Sequence, residues 1–206
     1  MTPARQAGFA PEAAQGAARE CGECSLCCTL LRVDELSKLG GTPCVHQRTG
    51  GGCGVYARRP GVCRAYRCLW LSGGLRPEDR PDRLGALLDL VNRGGQLMLQ
   101  IREAEAGAFE RSARLQEIAS GFRAAMPVRI SDVASVLDPD RPFRVLLPGG
   151  EEQRVAGETL EIWRDGRKLG SRRQPWAERL ARRAWLRVRE LRLRRLKSRR
   201  GRRALW

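Results

Sequence analysis

The chain has 206 residues, 42% of them hydrophobic and 5% aromatic, with a net charge of +16, enough for one ordinary domain or a small module with an appendage. The charge is local: residues 171–206 hold fifteen Lys/Arg and two Glu, while the other 170 carry 24 basic and 21 acidic side chains, so a uniformly basic fold is excluded. The opening MTPARQAGFAPEAAQGAARE lacks the apolar core of a secretory signal and no apolar run approaches a membrane span, which predicts a soluble, cytoplasmic protein.

Taken in order, residues 1–16 are rich in Ala, Gly, Pro and Gln and are expected to be disordered. A short helix is predicted from about Ala17 into the segment Cys21–Cys28, which reads C-x-x-C-x-x-C-C. On a helix, steps of about 100° place Cys21, Cys24, Cys27 and Cys28 within an arc of roughly 120° shared with Leu31. A loop-like knuckle using Gly22 is the alternative. Val33–Leu39 reads as a short helix ended by Gly40-Gly41, and TPCVHQRTGGGCGVY as a loop. Leu69-Trp70-Leu71 closes the segment and SGGLRPEDRPDR marks a boundary.

Beyond it, Leu84–Asn92 and Gln96–Arg102 are apolar stretches around Arg93-Gly94-Gly95, a hairpin signal. Phe109–Ala125 has helical spacing through Leu115, Ile118, Ala119 and Phe122, stopped by Pro127. Pro127–Ile130 reads as a strand feeding a short helix at Asp132–Leu137. Strands are predicted at Phe143–Leu147 and Glu151–Val155, and Thr159–Trp163 and Lys168–Leu169 flank the turn Asp165-Gly166. From about Pro175 the tail reads as a helix with Trp176, Leu180, Ala184, Val188 and Leu191 on one stripe. Such a helix is suited to dock on the protein, to lie on an anionic membrane surface, or to bind RNA or DNA.

All eight cysteines and the only histidine lie between residues 21 and 68: Cys21, Cys24, Cys27, Cys28, Cys44, His46, Cys53, Cys63 and Cys68. In a reducing compartment this density favours metal ligation over a disulfide framework. Thiolates are soft donors that select zinc, copper(I) or iron–sulfur iron. His46, two residues after Cys44, is a candidate ligand beside the cysteines. These candidates exceed the four donors of a closed zinc site, and the neighbours Cys27 and Cys28 hinder each other within one tetrahedron. Two metals, or additional structural, bridging or redox cysteines, follow. The bacterial ferredoxin run does not fit, since Leu31 and Arg32 stand where it needs Cys and Pro. Arg58, Arg59, Arg64 and Arg67 are placed to offset the charge of bound thiolates. Tyr56, Tyr66, Trp70 and Leu71 read as packing residues.

The motifs CGECSLCC, PCVH and GCGVYARRPGVCRAYRC resemble the CxxCxxCC family of zinc- or iron-chelating proteins. Gly52, Cys53, Val55, Tyr56, Arg59, Pro60, Cys63, Arg64, Tyr66 and Cys68 fit its G-C-x-I/V-Y-x-x-R-P-x-x-C-R-x-F/Y-x-C signature. The likeness covers roughly residues 17–80, weakens after Arg83 and does not extend to the tail. It implies metal or iron–sulfur binding. Flagellin lysine methylases carry a related cluster within a larger protein, but no glycine-rich S-adenosylmethionine loop follows a strand here.

The expected fold class is α+β: a small, irregular, metal-stabilised cysteine module over residues 17–80, a small hairpin-and-helix region over 81–170, and a basic helical tail over 171–206. The expected function is zinc or iron binding, including an iron–sulfur cluster. The alternatives are an iron–sulfur oxidoreductase or cluster-dependent modifying enzyme, and a nucleic-acid-binding accessory protein acting through the tail.

Overall fold

A computed structural model describes residues 19–132 and 142–173, with 175–177, 179–181, 183–185, 187–188 and 191–192 of the tail. The expectations for residues 1–16, for 133–137 and for the end of the tail lie outside these residues.

Within residues 19–173 the elements run α1 (Leu26–Leu30), α2 (Gly61–Ala65), α3 (Pro81–Leu84), β1 (Ala86–Arg93), β2 (Gln96–Glu103), α4 (Ala108–Arg111), α5 (Ala113–Arg123) and β3 (Val128–Asp132). They continue as β4 (Phe143–Leu146), β5 (Glu151–Ala156), β6 (Thr159–Arg164) and β7 (Arg167–Arg173). The seven strands form one sheet in sequence order. All neighbouring pairs are antiparallel except β2 and β3, which run parallel because α4 and α5 cross over between them.

This sheet corrects the expected fold class. A small metal-stabilised module followed by a small hairpin and helix does not describe a chain whose architecture is one seven-stranded sheet. The physical reason is non-local pairing. Each two-residue turn announces its own hairpin, but joining β2 to β3 depends on a crossover that no turn motif signals. The cysteine segment also shares its apolar interior with the sheet. Leu30, Cys68, Leu69, Trp70, Leu71 and Leu75 belong to the same continuous core as Leu87, Leu88, Leu99, Ile101, Val128 and Ile130.

Several local readings are adjusted as well. Phe109–Ala125 is broken at Ser112, whose extended backbone separates α4 from α5. Its hydroxyl accepts a hydrogen bond from the Leu115 amide at 3.2 Å, capping α5. The apolar positions of α5 are Leu115, Ile118, Ala119 and Phe122, all buried, with Leu115 completely so. Val33–Leu39 forms only a 3-10 turn over Asp34–Leu36, because Ser37 takes a left-handed conformation and Val33 bridges back to Lys38. Strand β7 begins one residue before Lys168 and runs four residues past Leu169.

Strand alternation divides the first three strands into two unlike faces. The register sets Leu88 beside Ile101 and Ile130, and Leu90 beside Leu99 and Val128. The opposite face carries Asp89, Gln100 and Arg129 in one row, and Leu87, Arg102 and Ser131 in the next. The first face is mainly hydrocarbon, and the second carries most of the charged and polar side chains at the middle of the strands.

Two clamps fasten the end of the cysteine segment to the rest of the chain. Asp79, 2% exposed, accepts two hydrogen bonds from the Arg114 guanidinium of α5, at 2.8 and 2.7 Å. Arg19 donates to the carbonyls of Trp70 and Leu75, both at 2.8 Å, while its guanidinium lies over the Trp70 ring. The described tail residues between 176 and 192 are helical. Trp176, Leu180, Trp185, Val188 and Leu191 there are 47–73% exposed. No helix among the described residues is long and apolar enough to cross a membrane.

Candidate metal centre

The first cysteines adopt part of each local form left open by the sequence. Cys21 and Cys24 lie on a turn closed by a 2.9 Å bond from the Cys24 amide to the Cys21 carbonyl, with Gly22 at positive φ. Cys27 and Cys28 are on α1. The loop that carries Cys44, His46 and Cys53 is tied to α1 through Gln47. Its amide nitrogen donates to Ser25 Oγ at 3.1 Å, and its amide oxygen accepts from Thr29 Oγ1 at 3.2 Å. Gln47 also pairs with Cys53 in an antiparallel bridge.

The same loop passes against the first cysteine turn at backbone distance. A Cβ on Gly51 would stand 2.4 Å from the Glu23 carbonyl oxygen, and one on Gly52 would stand 2.8 Å from that of Gly22. Only glycine allows this approach. Cys63 rides on α2, whose first amides at Gly61 and Val62 donate to the Glu35 carboxylate at 3.1 and 2.8 Å. Lys38, 7% exposed, donates to the carbonyls of Thr29, Leu31 and Leu39 and closes the C-terminal end of α1.

These supports bring all eight cysteines and His46 to the wall of one cavity of about 540 Å³. Every cysteine is a free thiol, and only Cys68 is fully buried. The sulfurs fall into two neighbourhoods. Cys27 feels Cys21 and Cys24, and Cys68 interacts with Cys21 and Cys24. Cys63, by contrast, feels Cys28, Cys44 and Cys53. The adjacent Cys27 and Cys28 connect the two sets.

Burial pushes the thiols of Cys24, Cys63 and Cys68 upward, with neighbouring sulfurs adding to the effect. Cys27 is pushed up furthest, first by its hydrogen bond to Cys28 and then by burial. That hydrogen bond, with help from the Lys38 charge, moves Cys28 the other way, down to about 7. Burial lowers the Lys38 ammonium, against the pull of the surrounding sulfurs.

The donor set suits a soft metal by its chemistry, and the nine candidates converge on one space. Their spacing is wider than coordination requires: among the described residues no three His, Cys, Asp or Glu side chains are gathered closely enough to hold an ion as they stand. A tetrahedral zinc site needs four donors at roughly 2.0–2.3 Å from the metal.

The rest of the wall was not visible to sequence reading. The polar face of β1–β3 forms the opposite side of the cavity, with Asp89, Arg93, Gln100, Arg102, Arg129 and Ser131. Arg102 pairs with Asp89, and Gln100 bridges to Ser131 Oγ at 3.1 Å while accepting from Arg129 at 3.1 Å. Burial raises the Asp89 carboxyl despite the opposing charge of Arg102. Tyr66, expected to be a packing residue, also lines the cavity, with its hydroxyl turned toward Asp89. Burial, followed by the Asp89 charge, pushes that hydroxyl up. The signal that could have revealed this wall is the lone acid in LLDLV and the lone amide in LMLQI. Of the arginines expected beside the thiolates, Arg59 lines the cavity and stacks on Tyr56 at 3.9 Å, whereas Arg58, Arg64 and Arg67 do not line it.

Comparison with known proteins gives no further identification: no family model matches the chain, and no curated protein and no solved structure matches it.

Proposed function

We propose that this chain is a metal-binding cysteine cluster protein that takes zinc or iron, including iron as an iron–sulfur cluster, in the cavity behind Cys21–Cys68. The observation that carries this reading is that eight free thiols from separate segments line a single cavity. The resemblance of CGECSLCC and GCGVYARRPGVCRAYRC to the CxxCxxCC family supports the same chemistry. The eight thiols on this one cavity exceed the four donors of a closed site, which supports room for a second metal or a cluster. Anaerobic purification with metal and sulfide analysis tests the proposal. Brown protein with matching iron and sulfide assigns an iron–sulfur centre, whereas colourless protein with zinc assigns zinc. Reduced protein that takes up neither after reconstitution refutes the proposal.

The tail supports an additional role. Its helix exposes Trp176, Leu180, Val188 and Leu191 within a strongly basic segment. Apolar exposure combined with cationic charge suits an anionic membrane surface better than a nucleic acid, whose phosphates need no apolar face. Co-sedimentation with vesicles containing phosphatidylserine should be lost in a Trp176→Ser/Leu180→Ser variant. Binding to duplex DNA or RNA instead of vesicles would reverse the assignment.

A further inference from the structure

The cavity has two unlike walls, and the thiols account for only one of them. Opposite lies the polar face of β1–β3, and around the space as a whole stand five arginines against two aspartates. Even with Asp34, which holds Arg32 Nε from outside the wall, positive charge remains in excess. Most of these cations have work inside the fold. Arg102 pairs with Asp89, Arg129 binds Gln100 and stacks on Phe143, and Arg59 holds the carbonyls of Tyr56 and Cys63.

Two arginines retain unused donors. The Arg93 side chain, at the exposed end of β1, feels the Asp89 charge but makes no hydrogen bond or close ion pair among the described residues. Arg32 is largely buried, and its Nη1 has no hydrogen-bond partner among the described residues. A buried donor without an acceptor costs about 1–3 kcal/mol, and charged donors left unused in a cavity call for an acceptor from outside the chain.

We propose that the cavity is a binding site for a small organic oxyanion, a molecule carrying a carboxylate or a phosphate, held by Arg32 and Arg93 and presented to the thiol wall. A volume of about 540 Å³ lies within the roughly 300–1,000 Å³ of small-molecule sites. The guanidinium groups supply the planar, charge-assisted donors that both anions match. The inference deepens the metal reading by naming the class of molecule the same cavity takes. It rests on that reading only for what the thiol wall then does.

The test is calorimetric titration of the full-length protein at low ionic strength with two probes, inorganic phosphate and succinate, on preparations whose metal content is measured separately. Saturable one-to-one binding of at least one probe is expected, and the stronger probe identifies the anion. Arg93→Gln should weaken binding roughly tenfold, and Arg93→Glu should weaken it more. Arg93 is exposed, so neither change threatens the fold; Arg32→Gln adds the second contact. Because the basic segment 171–206 also attracts anions, Arg172→Gln, which removes one charge as Arg93→Gln does and lies outside the cavity, serves as the charge-matched control and should leave binding unchanged.

The bound probe should also slow iodoacetamide alkylation of Cys27, Cys28 and Cys63, mapped by peptide mass spectrometry. The proposal is overturned if neither probe saturates, if the control weakens binding as much as Arg93→Gln does, or if binding leaves alkylation unchanged. Anion binding by protein that never takes up metal would sink the metal reading alone. Metal uptake without anion binding would sink this one alone, leaving the arginines to balance thiolate charge.

Discussion

Replacing Arg114 with methionine should loosen the joint between the cysteine segment and the sheet. Asp79 ends the boundary loop, is 2% exposed, and accepts both hydrogen bonds of the Arg114 fork together with one from the Arg76 amide at 3.0 Å. The variant removes the fork and leaves a buried carboxylate with a single backbone donor. Breaking a buried pair in this way costs about 3–5 kcal/mol. Arg114 is 27% exposed, so water can partly replace it, and we expect about 3 kcal/mol, or roughly 6–12 °C in Tm for a chain of this size. The pH dependence identifies the cause. Burial alone would raise the Asp79 carboxyl, but the hydrogen bonds from Arg114 and the Arg76 amide outweigh it and hold the group below the usual carboxylate range. A depressed carboxyl contributes stability that is present above its unfolded-state value, near 3.9. That contribution is lost as the pH falls through the folded-state value. Urea unfolding of wild type and Arg114→Met at pH 7 and at progressively more acidic pH should therefore show the difference shrinking below about pH 4. A difference that is unchanged in acid, or below about 1 kcal/mol at pH 7, would refute the reasoning; the lower bound is what an exposed pair contributes.

Three further outcomes follow from the same contacts. Gly51→Ala should destabilise the protein by at least about 1–3 kcal/mol, because the positive φ and the Glu23 carbonyl both oppose a Cβ. Metal retention measured after dialysis should fall with it, and a variant with unchanged Tm and retention would contradict the close approach of loop and turn. Ser112→Ala removes the cap of α5 and should cost about 1 kcal/mol by urea denaturation, with metal content unaltered. Chelation of the metal-loaded protein should lower the Tm and open the cysteine loop to protease. Equal melting temperatures and digestion patterns with and without metal would show that the loop holds its shape unaided.

The parts of the fold that could be read from sequence are those set by neighbours along the chain. The turns at Arg93-Gly94-Gly95 and Asp165-Gly166 are where hairpins form, with Gly94, Gly95, Asp165 and Gly166 all at positive φ. The apolar spacing of Leu115, Ile118, Ala119 and Phe122 gives α5 its buried stripe. The break at Ser112 was hidden because serine serves equally as a cap or as an ordinary helical position. The single sheet was hidden for a stronger reason. Parallel pairing of Leu99 with Val128 and Ile101 with Ile130 spans a two-helix crossover. No local pattern distinguishes strands that join one sheet from strands that form separate hairpins.

The candidate site divides along the same line. Cysteine is chemically conspicuous, so all eight thiols and His46 were found by inspection, and all of them reach one cavity. The opposite wall depends on register. Asp89 and Gln100 sit within the apolar stretches of their strands, and they mean little until pairing places Asp89 beside Gln100 and Gln100 beside Arg129. Alternation then separates them from Leu88, Leu99 and Ile101 and turns them toward the sulfurs. The correction of the fold therefore changes the reading of function. An isolated cysteine module would need only to hold its metal, whereas thiols facing a cationic sheet wall across about 540 Å³ enclose space for a second molecule. Arg32 and Arg93 are where that difference is to be tested, because under metal binding alone they could only balance thiolate charge, whereas a second molecule would take their hydrogen bonds directly.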